Sequence, residues 1–224
     1  LRQALAGIAR ENADVPSSGL YAAAKGLVPE GLTVDGLDYR ETAGNPLPTI
    51  PEPKALYLAA RQGMATSDFS GVTLLLPKNA GLGELADQIN SAWQKECSLF
   101  FPVEAVEQDE FDARIAAGNY TIALAPIRAE GGSVYPMLQQ FTAEGGSLTG
   151  YADTVYADRL ALSAQQTGKD RCALLAQCER QLLESCTMVP LMAQQKRLLL
   201  ANGVRDLVFD PFFPVLDLTW AKMS

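Results

Sequence analysis

The sequence predicts an α/β fold, a mixed and largely parallel sheet flanked by helices. Three observations carry this. Between Gly71 and Ile127, apolar β-prone runs alternate with amphipathic ones in the order strand, helix, strand, helix, strand. The links between them are short, which favours parallel strands joined by right-handed crossovers. The first of these strands, Val72-Thr-Leu-Leu-Leu76, is a continuous apolar run, as expected of a strand covered on both faces.

Taken from the amino end, Leu1, Leu5, Ile8 and Ala9 recur at helical spacing, and the residues from Asn12 to Pro16 bring turn chemistry. A second short helical turn is expected over Leu20 to Ala24. The stretch from Gly26 to Pro53 is rich in Gly and Pro and has little periodicity, so it is expected to lie extended over the surface. Pro53 suits the first turn of a helix, KALYLAARQ, ended by Gly63. Pro77 and Gly81 stop the first strand of the central unit. Leu85, Ile89 and Trp93 then fall at i, i+4 and i+8, with Glu84, Asp87, Gln88 and Lys95 elsewhere, which describes an amphipathic helix.

Leu99 to Val106 reads as the second strand, and Asp109 as the cap of a helix carrying Phe111 and Ile115 on one side. Gly118-Asn119 ends that helix, and Tyr120 to Ala125 is the third strand. Further on, Met137 to Phe141 forms a helical turn broken by Gly145-Gly146, and Val155, Tyr156, Leu160 and Leu162 mark a helix. Asp170 opens the clearest helix of the second half, with Leu174, Leu175, Cys178, Leu182 and Leu183 on one side. Val189 to Met192 and Lys196 to Ala201 read as strands, the former at an edge because of Pro190. Leu216, Leu218 and Trp220 alternate with polar neighbours as in a half-buried strand, so Trp220, like Trp93, is assigned to the core.

Composition narrows the function. The chain has 224 residues, enough for a substantial core, with 20% charged and 48% hydrophobic residues. Its net charge of −8 argues against nucleic acid as a partner. No apolar run approaches the roughly 20 residues of a membrane span. There is no histidine, which removes imidazole-activated nucleophiles and most catalytic zinc sites. Cys97, Cys172, Cys178 and Cys186 contain no C-x-x-C pair, and free buried thiols are expected, with a disulfide through Cys97 as the alternative. No metal and no cofactor is expected: LPKNAGLG after the first strand lacks the lysine pattern of a phosphate loop. The first residues already read as helix interior, so an excised piece of a longer chain is expected.

In parallel sheets ligands meet the loops at the carboxyl ends of the strands. Those ends are Pro77 to Leu82, Glu107 to Asp109, and Pro126 to Pro136. The last, PIRAEGGSVYP, is long and sets Arg128 beside Glu130 and Tyr135. It is either a binding loop or a plain surface loop.

The order of pieces resembles the C-terminal lobe of the extracellular solute-binding proteins of ABC importers, of the dipeptide, oligopeptide and nickel binding type. The resemblance lies in LRQALAGIARE, GLVPEGL, PEPKALYLAARQG, VTLLL followed by LADQINSAWQKE, VEAVEQDEFDARIAAGNYTIALAPI, and the stretch from YADTVYADRL to TMVPLM. It implies that residues 1–224 form one lobe of a periplasmic-binding-protein-like type II clamshell, with residues 71–127 as its central unit and the N-terminal lobe missing. It also implies an extracytoplasmic receptor, in the periplasm or at the cell surface as a membrane-anchored lipoprotein, that traps a peptide or other small solute for the importer's permease. In the peptide binders an aspartate after the third strand pairs with the ligand's ammonium group. That position falls on Glu130, and the family's preceding tryptophan falls on Pro126-Ile127. Ile127, Arg128, Glu130 and Tyr135 are therefore the candidate ligand-binding residues, with no catalytic ones. Glu130 pairs either with a ligand or with Arg128. The alternative function is a small α/β enzyme using Glu107, Asp109 and Glu130.

Overall fold

The structure, a computed structural model, describes residues 1–62, 64–65, 69–128, 132–146, 148–195, 198–209 and 216–223. Helix α1 (Arg2–Asn12) turns Ala4, Gly7, Ile8 and Ala9 inward. Gly7 permits a close approach to the chain at Pro53, since a Cβ there would stand 2.6 Å from the Pro53 ring Cγ. Leu20 to Ala24 is not helical. It holds strand β1 (Tyr21–Ala23), antiparallel to β7 (Met192–Gln194), and the ladder is extended by Gln195 N–H to Leu20 O at 2.7 Å and Ala24 N–H to Leu191 O at 3.2 Å. A partner far along the chain overrides the local tendency.

The segment after Gly26 also departs from expectation. It folds into a hairpin of β2 (Thr33–Val34) and β3 (Leu37–Asp38), then helix α2 (Tyr39–Ala43), whose Glu41 N–H is capped by Asp38 at 2.9 Å. Leu27, Val28, Leu32, Val34 and Tyr39 are buried rather than spread on the surface. The reason is a charge on another element, given below. Pro53 opens helix α3 (Pro53–Arg61) as expected, and Gly63 lies outside the described residues.

The central unit keeps the expected order of strand, helix, strand, helix, strand, with its first strand shifted to include Pro77 and its third shortened from Tyr120–Ala125 to two residues. Strand β4 (Leu74–Pro77) is buried throughout, and α4 (Gly83–Cys97) buries Leu85, Ile89 and Trp93. Strand β5 (Val103–Val106), helix α5 (Gln108–Ala116) and strand β6 (Ile122–Ala123) complete it. The strands lie in the order β5-β4-β6 and all pairs are parallel. The second strand is shorter than expected. The Asn90 side chain takes both backbone groups of Phe101, accepting from its N–H at 3.1 Å and donating to its C=O at 2.8 Å, while Leu99 N–H goes to Trp93 O at 3.3 Å, so Phe101 needs no strand partner. Asp109 is not a cap: Glu107 holds that position without a side-chain bond, and Asp109 sits in the first turn, where a carboxylate suits the helix dipole.

Helices α6 (Val134–Gln139), α7 (Thr154–Ser163) and α8 (Gly168–Glu184) follow, α7 capped by Asp153 through Tyr156 N–H at 3.0 Å. Short strands β8 (Val204–Arg205), β9 (Val208–Phe209), β10 (Leu216–Asp217) and β11 (Lys222–Met223) end the chain. Leu198 to Ala201 forms no strand, and Lys196 and Arg197 lie outside the described residues. Trp220 is 68% exposed and is not a core residue.

Two buried clusters hold the molecule together. One joins α1, α3, α4 and β4 through Ile8, Tyr57, Leu74, Ile89, Trp93 and Phe101. Trp93 meets Phe101 edge-on at 5.3 Å and donates its indole N–H to Leu5 O at 3.0 Å. The other joins the Leu27–Tyr39 segment to α6, α7 and α8 through residues such as Val34, Tyr39, Leu138, Tyr156 and Leu175. Glu179, on the apolar stripe of α8 between Leu175 and Leu182, is fully buried. It accepts from Val28 N–H at 2.9 Å, Tyr39 O–H at 2.9 Å, and Arg40 at 2.9 and 3.2 Å. A buried carboxylate must be answered by donors, which draws the 26–40 segment inward. Gly26 stands against this pair, where a Cβ would lie 2.6 Å from Glu179 Oε1. The four cysteines are buried and free.

Candidate functional site

The carboxyl ends of β5, β4 and β6 lie at the same end of the sheet because the strands are parallel. Beyond Pro77 the ladder continues through Lys78 N–H to Val106 O at 2.8 Å, and beyond β6 through Leu124 N–H to Leu75 O at 2.8 Å. The loops that leave these ends are thus held at their roots by sheet hydrogen bonds. Helix α5 is fixed to the sheet by Arg114, which grips Glu104 of β5 at 2.6 and 3.1 Å, while Thr73 O–H donates to the same carboxylate at 3.1 Å. The Arg114 hydrogen bonds, with Thr73 and the guanidinium charge adding to them, hold the Glu104 carboxyl below its ordinary pKa.

The third loop carries the candidate residues. Ala125 and Pro126 are exposed, whereas Ile127 is partly buried against the cluster of α6, α7 and α8. Arg128 is exposed, and no described carboxylate pairs with it. Its carbonyl accepts a long bond, 3.5 Å, from the Gln140 side chain. Glu130 lies outside the described residues. Tyr135 is in the first turn of α6, partly buried against the same cluster as Ile127. The structure therefore sets Ile127 and Tyr135 on one core, with Arg128 on the solvent side of the chain next to Ile127. Tyr120, at the start of the third strand region, donates its hydroxyl to Leu148 O at 3.1 Å, and burial pushes its pKa up, so it acts as a neutral anchor for the chain at Leu148.

The acids of the enzyme alternative have a different setting. Glu107 and Asp109 are exposed, and Glu107 pairs with Lys78 at 3.1 Å. A surface pair in water of this kind holds a loop only loosely. Two open grooves lie elsewhere. One, of about 660 Å³, is lined by α1 and α3 residues such as Ile8, Glu11, Lys54 and Leu58; the other, of about 440 Å³, is lined by Asn12 and α4 residues such as Asp87 and Gln88. Neither includes Ile127, Arg128 or Tyr135.

No family model matches the sequence, and no curated protein matches it. Solved structures do match. The chain superposes over 100% of its length on the pheromone receptor PrgZ, described with its mode of peptide binding, at a TM-score of 0.74 and 15% identity, covering 44% of that chain. It superposes over 100% of its length on Listeria monocytogenes OppA bound to peptide, at 0.69 and 17% identity, covering 44% of that chain. For the substrate-binding domain of an oligopeptide ABC transporter from Bacillus anthracis str. Ames the values are 99%, 0.67, 17% and 46%. The chain spans less than half the length of these proteins. Its fold is that of part of a periplasmic-binding-protein-like solute-binding protein.

Proposed function

From this shared fold we propose that the chain is the C-terminal lobe of an extracytoplasmic solute-binding protein of an ABC importer, a non-enzymatic receptor that closes on a peptide and hands it to a membrane permease. The single observation that carries the reading is the superposition of essentially the whole chain on peptide-binding proteins more than twice as long. The strand-end loop supports it. Arg128, exposed, offers a cation to a peptide carboxylate, and Ile127 and Tyr135 offer partly buried apolar surface. Glu130, two residues after Arg128 in sequence, is the candidate partner for the peptide ammonium group. Ligand contacts from both lobes favour the shut state, so binding and hinge closure are one equilibrium.

No described helix is long and apolar enough to cross a membrane. In this reading a lipid anchor belongs to the parent polypeptide, outside the lobe.

The test is calorimetric titration of the complete parent protein with short peptides of varied length. Saturable binding, weakened by Arg128→Ala or Glu130→Gln, is the expected result. Absence of binding to a peptide pool, with binding to a sugar or a metal chelate instead, overturns the peptide assignment. Absence of binding to all three overturns the receptor reading.

A further inference from the structure

Helix α3 hides little of itself. Pro53 and Tyr57 are its buried residues, whereas Ala55, Leu56, Leu58 and Ala59 are exposed, Leu58 at 56%. Ala55, Leu58 and Ala59 stand at i, i+3 and i+4, so they form one apolar stripe on the side where a solvated helix carries charge. The stripe borders the groove of about 660 Å³ between α1 and α3, whose lining includes the buried Ile8 and Pro53 as well as Leu58. A single exposed leucine is ordinary, but an apolar helix face running into a groove with a charged rim is a contact surface. The rim is acidic. Glu11 and Glu52 are exposed and pair with no described cation, while Glu96 is answered by Lys54 at 3.2 Å and Lys95 at 3.8 Å. The groove on α4 shares Asn12 with this one and continues the same sign: six carboxylates and two lysines line the two together.

We propose that the α1–α3 groove docks an amphipathic helix of a partner protein, one with leucine-type residues on one face and lysine or arginine beside them. The α3 stripe takes the apolar face and the rim carboxylates take the flanking cations, in the helix-in-groove mode. Charge selects this occupant. A second copy of the chain brings a further −8, and a membrane surface of anionic lipid is repelled by the same rim. The groove includes none of Ile127, Arg128 and Tyr135, so the claim stands apart from the peptide reading.

The probe is a synthetic helix of about 18 residues, with leucine along one face and lysine on the others, acetylated and amidated so that neither terminus is charged. Its binding to the complete parent protein is read by fluorescence polarisation, beside a leucine and glutamate helix of the same pattern. The lysine helix is expected to bind saturably and the glutamate helix not to bind. Leu58→Lys is expected to weaken binding roughly 10-fold or more, and Glu11→Gln with Glu52→Gln several-fold, as removal of an apolar anchor and of rim charge do. Leu58 is exposed, so Leu58→Lys should keep the circular dichroism of the unmodified protein, and the paired glutamine variant tests the same groove without touching the stripe. No binding of the lysine helix overturns the inference. So does binding that both variants leave intact, since the helix then sits elsewhere. Equal binding of the two helices removes the charge argument and, with it, the choice of partner. Dimers in sedimentation that Leu58→Lys abolishes make the occupant a second copy and overturn the inference as well.

Discussion

Arg40 and Glu179 meet as a buried two-point ion pair, with side-chain exposures of 9% and 0%, across 139 residues of sequence. The pair joins the 26–40 segment to α8, and it is closed by Val28 and Tyr39. Removing one partner strands the other charge in the core, at a cost of about 3–5 kcal/mol, whereas removing both can be nearly neutral. Arg40→Leu and Glu179→Leu are each expected to lower the unfolding free energy by that amount in urea titrations, and the double variant by much less than the sum. Additive single effects would sink the claim that the two side chains act as a unit.

The buried thiol of Cys178 sets an alkaline limit. Burial pushes its pKa up to about 12, with the Arg159 charge opposing, while an unfolded thiol ionises near 8.5. The folded value is the raised one, so the stabilisation is complete below about pH 8.5 and is lost as pH rises toward the folded value. Tyr39 and Tyr156, raised by burial in the same way, extend the loss from about pH 10 upward. The urea midpoint under reducing conditions is expected to fall between pH 8 and pH 10, and to fall less steeply in Cys178→Ala. An unchanged slope in that variant would show that other groups set the limit.

What was legible in the sequence was local. Leu74 to Leu76 and the Leu85, Ile89, Trp93 spacing announce a covered strand and an amphipathic helix, and both form where expected. Leu20 to Ala24 was not legible, because its strand character comes from Met192–Gln194. The inward course of Leu27 to Tyr39 was not legible from its own Gly and Pro content either. Its signal lay elsewhere, in an acid at position 179 on an apolar helix stripe, which demands donors from some other segment. Trp220 shows the opposite error: the alternation suggested a half-buried strand, but the strand ends at Asp217 and Trp220 sits 68% exposed in the turn that follows. In the candidate site, strand-end placement located Ile127, Arg128 and Tyr135 on one loop and the helix it enters, because chain order alone fixes which loops leave the carboxyl ends of parallel strands.

Asn90 does for Phe101 what a strand partner would do. It is 2% exposed, and its amide answers both backbone groups of Phe101. Asn90→Ala leaves a buried N–H and a buried C=O unanswered, a loss of about 2–4 kcal/mol. Because Trp93 packs edge-on against Phe101, the same variant is expected to change Trp93 emission in the folded state. A drop in stability with unaltered emission would mean that the Phe101 segment stays in place without the amide.

Arg128 and Ile127 are neighbours with opposite environments, and this separates binding from folding. Arg128 is exposed with no described ion-pair partner, so Arg128→Ala is expected to change stability by less than about 0.5 kcal/mol. A charge-assisted hydrogen bond to a peptide carboxylate is worth about 1.5–3 kcal/mol, so the same substitution in the parent protein should weaken peptide binding roughly 10- to 100-fold. Ile127 packs on the cluster of α6, α7 and α8, and Ile127→Ala should cost stability, by about 1–2 kcal/mol for a half-buried side chain, as well as affinity. Calorimetry and thermal unfolding on the two variants read both quantities. Unchanged peptide affinity in Arg128→Ala removes Arg128 from the site, and loss of affinity that follows loss of stability in both variants reduces the loop to a scaffold.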